Sequence, residues 1–185
     1  MRYPQNRKAE TRQKLIEKAG SIAKKNGFAT TGVDELMASV GLTGGAFYSH
    51  FASKDELLKA IIANELTSTI GRFMDSQNES TDPFLNLLEL YLSPLHVQFP
   101  EMGCPLPSLS TEVARADTST KQIYEDALKS TQQKLANVLG NSNHAWAALA
   151  LNIGGVVLSR AMASSETQQE VLNACKDFAR NHLET

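Results

Sequence analysis

The chain has 185 residues, 42% of them apolar and 21% charged, a globular composition with enough material for a core. No run of roughly eighteen apolar residues occurs, so no membrane-crossing helix is expected; the charged opening MRYPQNRKAETRQK lacks an apolar signal-peptide core, so a cytoplasmic location is expected. The net charge of −2 hides an asymmetry, because residues 1–60 carry ten Lys/Arg against six Asp/Glu and residues 61–185 carry eight against fourteen. A basic end on an acidic body points to a polyanionic partner for the first sixty residues, the alternative being a solvated helix face. Cys104 and Cys175 form neither a disulfide framework nor a metal-ligand spacing, and no metal or cofactor is expected.

The periodicity predicts helices throughout. Leu15, Ile16, Ala19, Ile22 and Ala23 make one apolar face, with Arg12, Lys14, Lys18 and Lys25 largely off it. Asn26-Gly27 ends this helix, since glycine takes the left-handed turn at little cost. Thr31 is expected to cap a short second helix, with Asp34 reaching back and Val33, Leu36, Met37 and Val40 buried. Gly41 closes it, and Thr43 can open a third helix at once, which makes a helix-turn-helix. Ser53 and Glu56 form a capping box for a long fourth helix striped by Leu57, Leu58, Ile61, Ile62, Leu66, Ile70 and Phe73.

Asp82-Pro83 reads as the start of a helix running to about Gln98. The segment FPEMGCPLP, from Phe99 to Pro107, is the clearest break in the chain, with three prolines and one glycine. Helices are expected at about 106–115 and 119–139. Asn141 and Ser142 cap another, over 142–163, rich in small residues: Ala147, Ala148, Ala150, Gly154, Gly155 and Ala161. Ser165 with Gln168 starts the last, carrying Val171, Leu172, Cys175, Phe178 and Ala179 on one face.

Gly44 and Gly45 stand together in the short third helix, where each costs roughly 1 kcal/mol against alanine. Close approach of their backbone to a phosphate or base edge accounts for them. Tyr48 and His50 carry groups able to reach a phosphate, whereas Phe47 reads as core. Lys54 sits in a first helical turn, where the dipole disfavours a cation unless an anion is bound there.

The stretches GFATTGVDEL and VGLTGGAFYSHFASKDELL, within residues 10–60, resemble the DNA-binding domain of the tetracycline-repressor (TetR) family. The resemblance implies an all-α protein, with a three-helix helix-turn-helix DNA-binding domain at 1–52 and a helical ligand-binding and dimerisation domain at 53–185. It implies no enzyme but a cytoplasmic transcriptional regulator, most simply a repressor released from double-stranded operator DNA by a small-molecule inducer. Thr31, Thr43, Gly44, Gly45, Tyr48, His50 and Lys54 are the implied DNA-binding residues, with Thr43 and Ala46 as readers of bases. The helix over 142–163 and the last helix resemble the four-helix dimer interface of the family; packing within one chain is the alternative.

The helices over 54–75, 82–98, 106–115 and 119–139 are expected to enclose the ligand pocket. Its candidate lining residues are Tyr91, His96, Phe99, Met102, Cys104 and Leu109 from the middle of the chain. Glu112, Tyr124, Leu128, Trp146 and Asn152 complete the set, each with plain core or surface as its alternative. Cys104 lies between Gly103 and Pro105 at an expected helix N-terminus, a position that lowers a thiol pKa. A redox- or electrophile-sensing regulator acting through Cys104 is therefore the alternative to a simple ligand-responsive one, against an inert buried cysteine. Cys104 with His96 is the nearest approach to a catalytic pair, but no orienting carboxylate accompanies it, which leaves a cysteine-dependent enzyme as a remote reading.

Overall fold

A computed structural model describes residues 5–77 and 82–183, with side chains described for 7–69 and 82–183. The elements are α1 (Gln5–Asn26), α2 (Val33–Ala38), a 3₁₀ helix (Gly44–Ser49), α3 (Lys54–Gln77), α4 (Pro83–Tyr91), α5 (Pro94–Gln98), a 3₁₀ turn (Pro100–Met102), α6 (Leu106–Arg115), α7 (Thr118–Leu139), α8 (Ser142–Ala161) and α9 (Ser165–His182). No strand occurs among the described residues.

Two apolar clusters organise these helices. The first joins Leu15, Ile16, Ala19 and Ala23 of α1 to Leu36 and Met37 of α2, to Phe47 and Phe51, and to Leu57, Leu58, Ile61 and Ile62 of α3. Leu106, Leu109 and Val113 of α6 complete it, so this cluster bonds the N-terminal head to the body. The second lies in the body, between α4, α7, α8 and α9. α3 packs against both α1 of the head and α7 of the body, and so links the two. The expected apolar stripe of α3 holds through Leu66; the side chains of Ile70 and Phe73 lie outside the described ones.

Helix ends follow sequence chemistry where a side chain is free to cap. Asp82 accepts from the Leu85 N–H, Asp117 from Thr120, and Asn141 from Asn143 and His144. Ser53 Oγ accepts from the Glu56 N–H at 3.1 Å, while Glu56 accepts from the Ala52 N–H at 2.7 Å. Three expectations are corrected. Thr31 does not cap α2: the cap residue is Gly32, and the buried Thr31 hydroxyl instead donates to the Gly27 carbonyl at 2.8 Å, satisfying an end of α1. The helix from Pro83 does not reach Gln98. It stops at Tyr91 because Pro94 cannot continue the ladder, and Ser93 caps the new α5 by accepting from His96 N–H. The last helix is capped by Ser164, not Ser165, through the Thr167 N–H.

The third helix is a 3₁₀ turn of six residues, with Thr43 at its N-cap and no side-chain cap bond. Two adjacent glycines and three-residue spacing suit this tighter form better than an α-helix. Lys24, which the charge pattern alone places in a solvated run, is buried: its ammonium lies 2.7 Å from Glu65 of α3 and donates to the Gly103 carbonyl at 3.1 Å.

Candidate nucleic-acid interface and ligand cavity

The head presents one outward edge. Phe47 and Phe51 are buried with ring centroids 5.8 Å apart, and they anchor the 3₁₀ helix on α1 and α3. The residues flanking Phe47 point away: Tyr48 is 72% exposed, with its ring edge-on to Phe47, and Thr43 and Gly45 are exposed. The two glycines differ. A side chain on Gly44 would meet the Asp34 carboxylate at 1.8 Å, so the room there is taken by α2. Nothing lies within 4 Å of a Cβ placed on Gly45, so its openness faces outward. Gly44 is therefore explained inside the protein, not by close approach of a partner. Ala46 packs partly against the core.

His50 is half-buried at the C-terminal end of this element, and its Nδ1 has no partner. Burial, then the nearby Lys8 and Arg12 cations, hold its pKa below the usual histidine value. Arg12 stacks on the Phe51 ring at 4.4 Å and pairs with Glu56 at 3.5 Å. Lys54 is engaged within the head: its ammonium sits 4.8 Å from the Phe28 ring centroid and donates to the Ala29 carbonyl at 3.1 Å. Thr31, 2% exposed, stands apart from this edge.

The body holds a cavity of about 630 Å³ between α3, α4, α5, α6, α7 and α8, open to solvent beside the exposed Leu90, Leu95 and Met102. Seven of the eleven expected lining residues reach it: Tyr91, His96, Phe99, Met102, Cys104, Leu128 and Asn152. Four do not. Leu109 is buried in the cluster under the head, and Tyr124 is hydrogen-bonded to Ser110 beside that cluster. Glu112 accepts from the Ala29 N–H at 3.2 Å and pairs with Arg115, so it fastens α6 to the head loop. Trp146 is 41% exposed on the outside of α8. The wall also uses Leu66, which reads in sequence as helix stripe, and Thr69, Leu87, Leu135 and Ile153, which the sequence does not single out.

Cys104 departs from the activated thiol expected at a helix start. Pro105, not Cys104, caps α6, and burial of Cys104 raises its pKa despite favourable contacts from Tyr91, the Leu106 backbone and Lys24. Desolvation outweighs the helix-terminus field here. His96 does not serve the thiol either. Its Nδ1–H donates to the Tyr91 carbonyl at 2.7 Å and its Nε2 accepts from the Cys104 backbone N–H at 3.1 Å. Those partners fix the neutral ring with its proton on Nδ1, and burial lowers its pKa.

Residues 15–61, spanning the second half of α1 through the first two turns of α3, match the family of bacterial regulatory proteins, tetR family. The chain thus carries a tetR-family DNA-binding domain. The transcriptional repressor KstR2 of Mycolicibacterium smegmatis is 26% identical over 85 residues, 46% of this chain and 42% of that protein. A transcriptional regulator from the lacX 3′ region of Lactococcus lactis is 26% identical over 135 residues, 70% of this chain and 68% of that one. The matched stretch thus spans less than half the length of KstR2 and about two thirds of the second relative. Among solved structures, a TetR-family regulator from Cytophaga hutchinsonii superimposes with a TM-score of 0.78 at 19% identity, covering 97% of each chain. Reduced Escherichia coli NemR gives 0.79 at 19% identity, covering 95% of this chain and 98% of that one. The whole chain therefore has the tetR-family fold.

The small residues of α8 divide into two sets. Ala148 and Gly155 are buried, and a side chain on Gly155 would meet Cys175 and Leu92 at 3.0 Å each. Ala147, Ala150 and Ala161 are exposed, Gly154 has open space beside it, and Val157 and Leu158 are 43% and 54% exposed. On α9, Phe178 faces outward at 52% exposure, stacked on His182, not inward with Leu172 and Ala179. No helix among the described residues is long and apolar enough to cross a membrane.

Proposed function

We propose that the protein is a homodimeric, sequence-specific DNA-binding transcriptional regulator, a repressor whose grip on its operator is released by a small molecule in the body cavity. One observation carries the reading: Thr43, Gly45 and Tyr48 stand free on a 3₁₀ turn anchored from beneath by buried Phe47 and Phe51. This turn enters the major groove, with Thr43 and Ala46 toward bases and Gly45, Tyr48 and His50 toward the backbone. Lys54 adds a phosphate contact through the donors left after its bond to Ala29. The stripe Ala147, Ala150, Gly154, Val157, Leu158 and Ala161 on α8, with Phe178 on α9, buries against a second copy and places two heads on one duplex.

Selection of bound duplexes from a randomised pool tests the proposal. An enriched palindromic sequence bound by a dimer is expected, with affinity falling steeply as salt rises. Tyr48→Ala should weaken binding without unfolding the protein. No enriched sequence, salt-insensitive binding, or a monomer in sedimentation at micromolar concentration would refute it. A thiol-switch reading has no support in the geometry of Cys104.

A further inference from the structure

We infer that the cavity selects an uncharged, mainly apolar molecule whose polar group is an alcohol or amide that donates a hydrogen bond to Asn152. The inference rests on the ligand-responsive reading above and names the class of that ligand.

Asn152 is the informative residue. It lies in α8 between apolar neighbours that also line the cavity, Leu149 and Ile153, and it is 2% exposed. Its side-chain carbonyl Oδ1 is buried and has no hydrogen-bond partner. An amide oxygen held dry in an apolar wall is unfavourable unless a donor meets it; Oδ1 is closed off from the cavity, so the Asn152 amide must turn toward that space to meet a donor on a ligand. The Tyr91 hydroxyl is a second such group. It lines the cavity, is buried without a conventional hydrogen-bond partner beside the Cys104 thiol, and is held fully protonated because burial pushes its pKa well up. It therefore offers a proton to an acceptor on the same ligand. Thr69 Oγ1, on α3, is a third unpartnered oxygen in the wall.

The rest of the lining excludes charge. None of the described residues lining the cavity is Asp, Glu, Lys or Arg. His96 stays neutral with both ring nitrogens engaged, and Cys104 stays a thiol. The nearest cations, Lys24 and Arg160, are not among the lining residues, and of the two only Lys24 has a carboxylate partner; the buried Arg160 Nε has no hydrogen-bond partner. Arg160 donates to Ser108 and to the His96 carbonyl, and Lys24 is paired with Glu65. An ion entering the cavity would lose water without meeting a counter-charge in the wall itself, Arg160 lying outside the lining, whereas an alcohol or amide loses less and recovers it at Asn152. The volume of about 630 Å³ admits a drug-sized apolar body.

The test is calorimetric titration of the full-length protein with four probes sharing one tail: 1-decanol, decanamide, decanoate and decyltrimethylammonium. Decanol and decanamide should bind at least about tenfold more tightly than either ion. Asn152→Leu should lower decanamide affinity about tenfold while leaving the melting temperature unchanged or higher, since it removes an unpartnered oxygen. Tyr91→Phe should lower it by a smaller factor, about fivefold. Equal or tighter binding of decanoate or the ammonium would overturn the ligand class while leaving a ligand-responsive regulator standing. So would undiminished decanamide binding by a folded Asn152→Leu protein. If none of the four binds up to its solubility limit, the class and the ligand-responsive reading both fall.

Discussion

Replacing Lys24 by methionine should be among the most damaging single changes available in this chain. The Lys24 ammonium and Glu65 carboxylate are 2.7 Å apart with only 4% and 9% of their side chains exposed, and the ammonium also serves the Gly103 carbonyl at 3.1 Å. Methionine fills the volume but leaves the carboxylate buried without its cation. Breaking one partner of such a pair costs about 3–5 kcal/mol, whereas an exposed pair such as Lys129–Glu125 is screened by solvent and contributes little. For a chain of this length that corresponds to a fall in Tm of roughly 6–20 °C. Lys24→Met with Glu65→Leu should recover most of the loss, because an apolar pair needs no counter-charge; the Gly103 carbonyl, now without its donor, leaves a deficit of about 1 kcal/mol. Gly20→Ala should move stability in the same direction as Lys24→Met. Its Cβ would lie 2.6 Å from Glu65 Oε1, and a carboxylate pinned by Lys24 cannot swing away freely. Urea denaturation with a check on the m-value measures all three. A Lys24→Met protein within about 1 kcal/mol of wild type, or a double variant as weak as the single, would refute the reasoning.

The glycine pair gives a second test: Gly44→Ala should cost about 1–3 kcal/mol and be rescued by Asp34→Ala, whereas Gly45→Ala should leave stability unchanged or raised and weaken DNA binding, as urea melts and anisotropy titrations would show. Acidification gives a third. His96 is held neutral with its pKa below the ordinary value of 6.5, so the unfolded chain takes up the proton first and stability falls as pH drops through about 6.5 toward the lowered folded-state value. His96→Gln should flatten that decline, and His50, depressed in the same direction but present in both proteins, cancels in the comparison. Thiol reactivity gives a fourth: Cys104 should resist an aromatic disulfide reagent at neutral pH until denaturant is added, and Cys104→Ser should leave operator release by oxidants unchanged.

The head was legible in the sequence because its signals are local. Helix periodicity placed Leu15, Ile16 and Ala19 in the core, Gly27 has the positive φ its turn requires, and Ser53 with Glu56 caps α3 as its spacing demands. The errors arose where tertiary contact decides. Thr31 has the chemistry of a cap, but its burial turned the hydroxyl back to Gly27. Gly44 has the look of a partner-facing glycine, yet the carboxylate it accommodates, Asp34, comes from the preceding helix. Cys104 shows the same lesson in electrostatics, since position along the chain suggested a helix-start field and only the packing around it revealed the larger desolvation. Periodicity marks Leu109, Glu112 and Tyr124 as plausible wall residues, but it cannot say which side of α6 and α7 meets the cavity and which meets the head. Lys24 is the clearest omission: nothing local separates it from Lys25, and only Glu65, some forty residues away, makes its burial tolerable.

Glu112 and Lys24 together tie the cavity wall in the body to the head. Ala29, in the loop between α1 and α2, is held at both ends of its peptide groups: its N–H donates to Glu112 of α6 and its carbonyl accepts from Lys54 of α3. Gly103, in the cavity wall, is held by Lys24 at the end of α1, and Lys25 reaches Glu101 at 3.8 Å. Gly103 has no room for a side chain, because a Cβ there would meet the His96 ring at 2.3 Å, so the wall is packed tightly against the residue that orders it. The segment from Phe99 to Leu106 is thus tied to α1 at one end, and through α6 to the α1–α2 loop at the other. On the proposed reading, a ligand that needs a different position for this segment must either carry α1 and the loop with it or forgo the bonds at Gly103 and Ala29. Two or three charge-assisted hydrogen bonds are worth a few kcal/mol, which is the scale of coupling, about 1–3 kcal/mol, by which a bound effector shifts DNA affinity. On the same reading, the short side chains proposed to meet DNA, Thr43, Gly45 and Ala46, contribute little binding surplus of their own, so a change of that size in head placement would release a duplex held by two heads at fixed spacing.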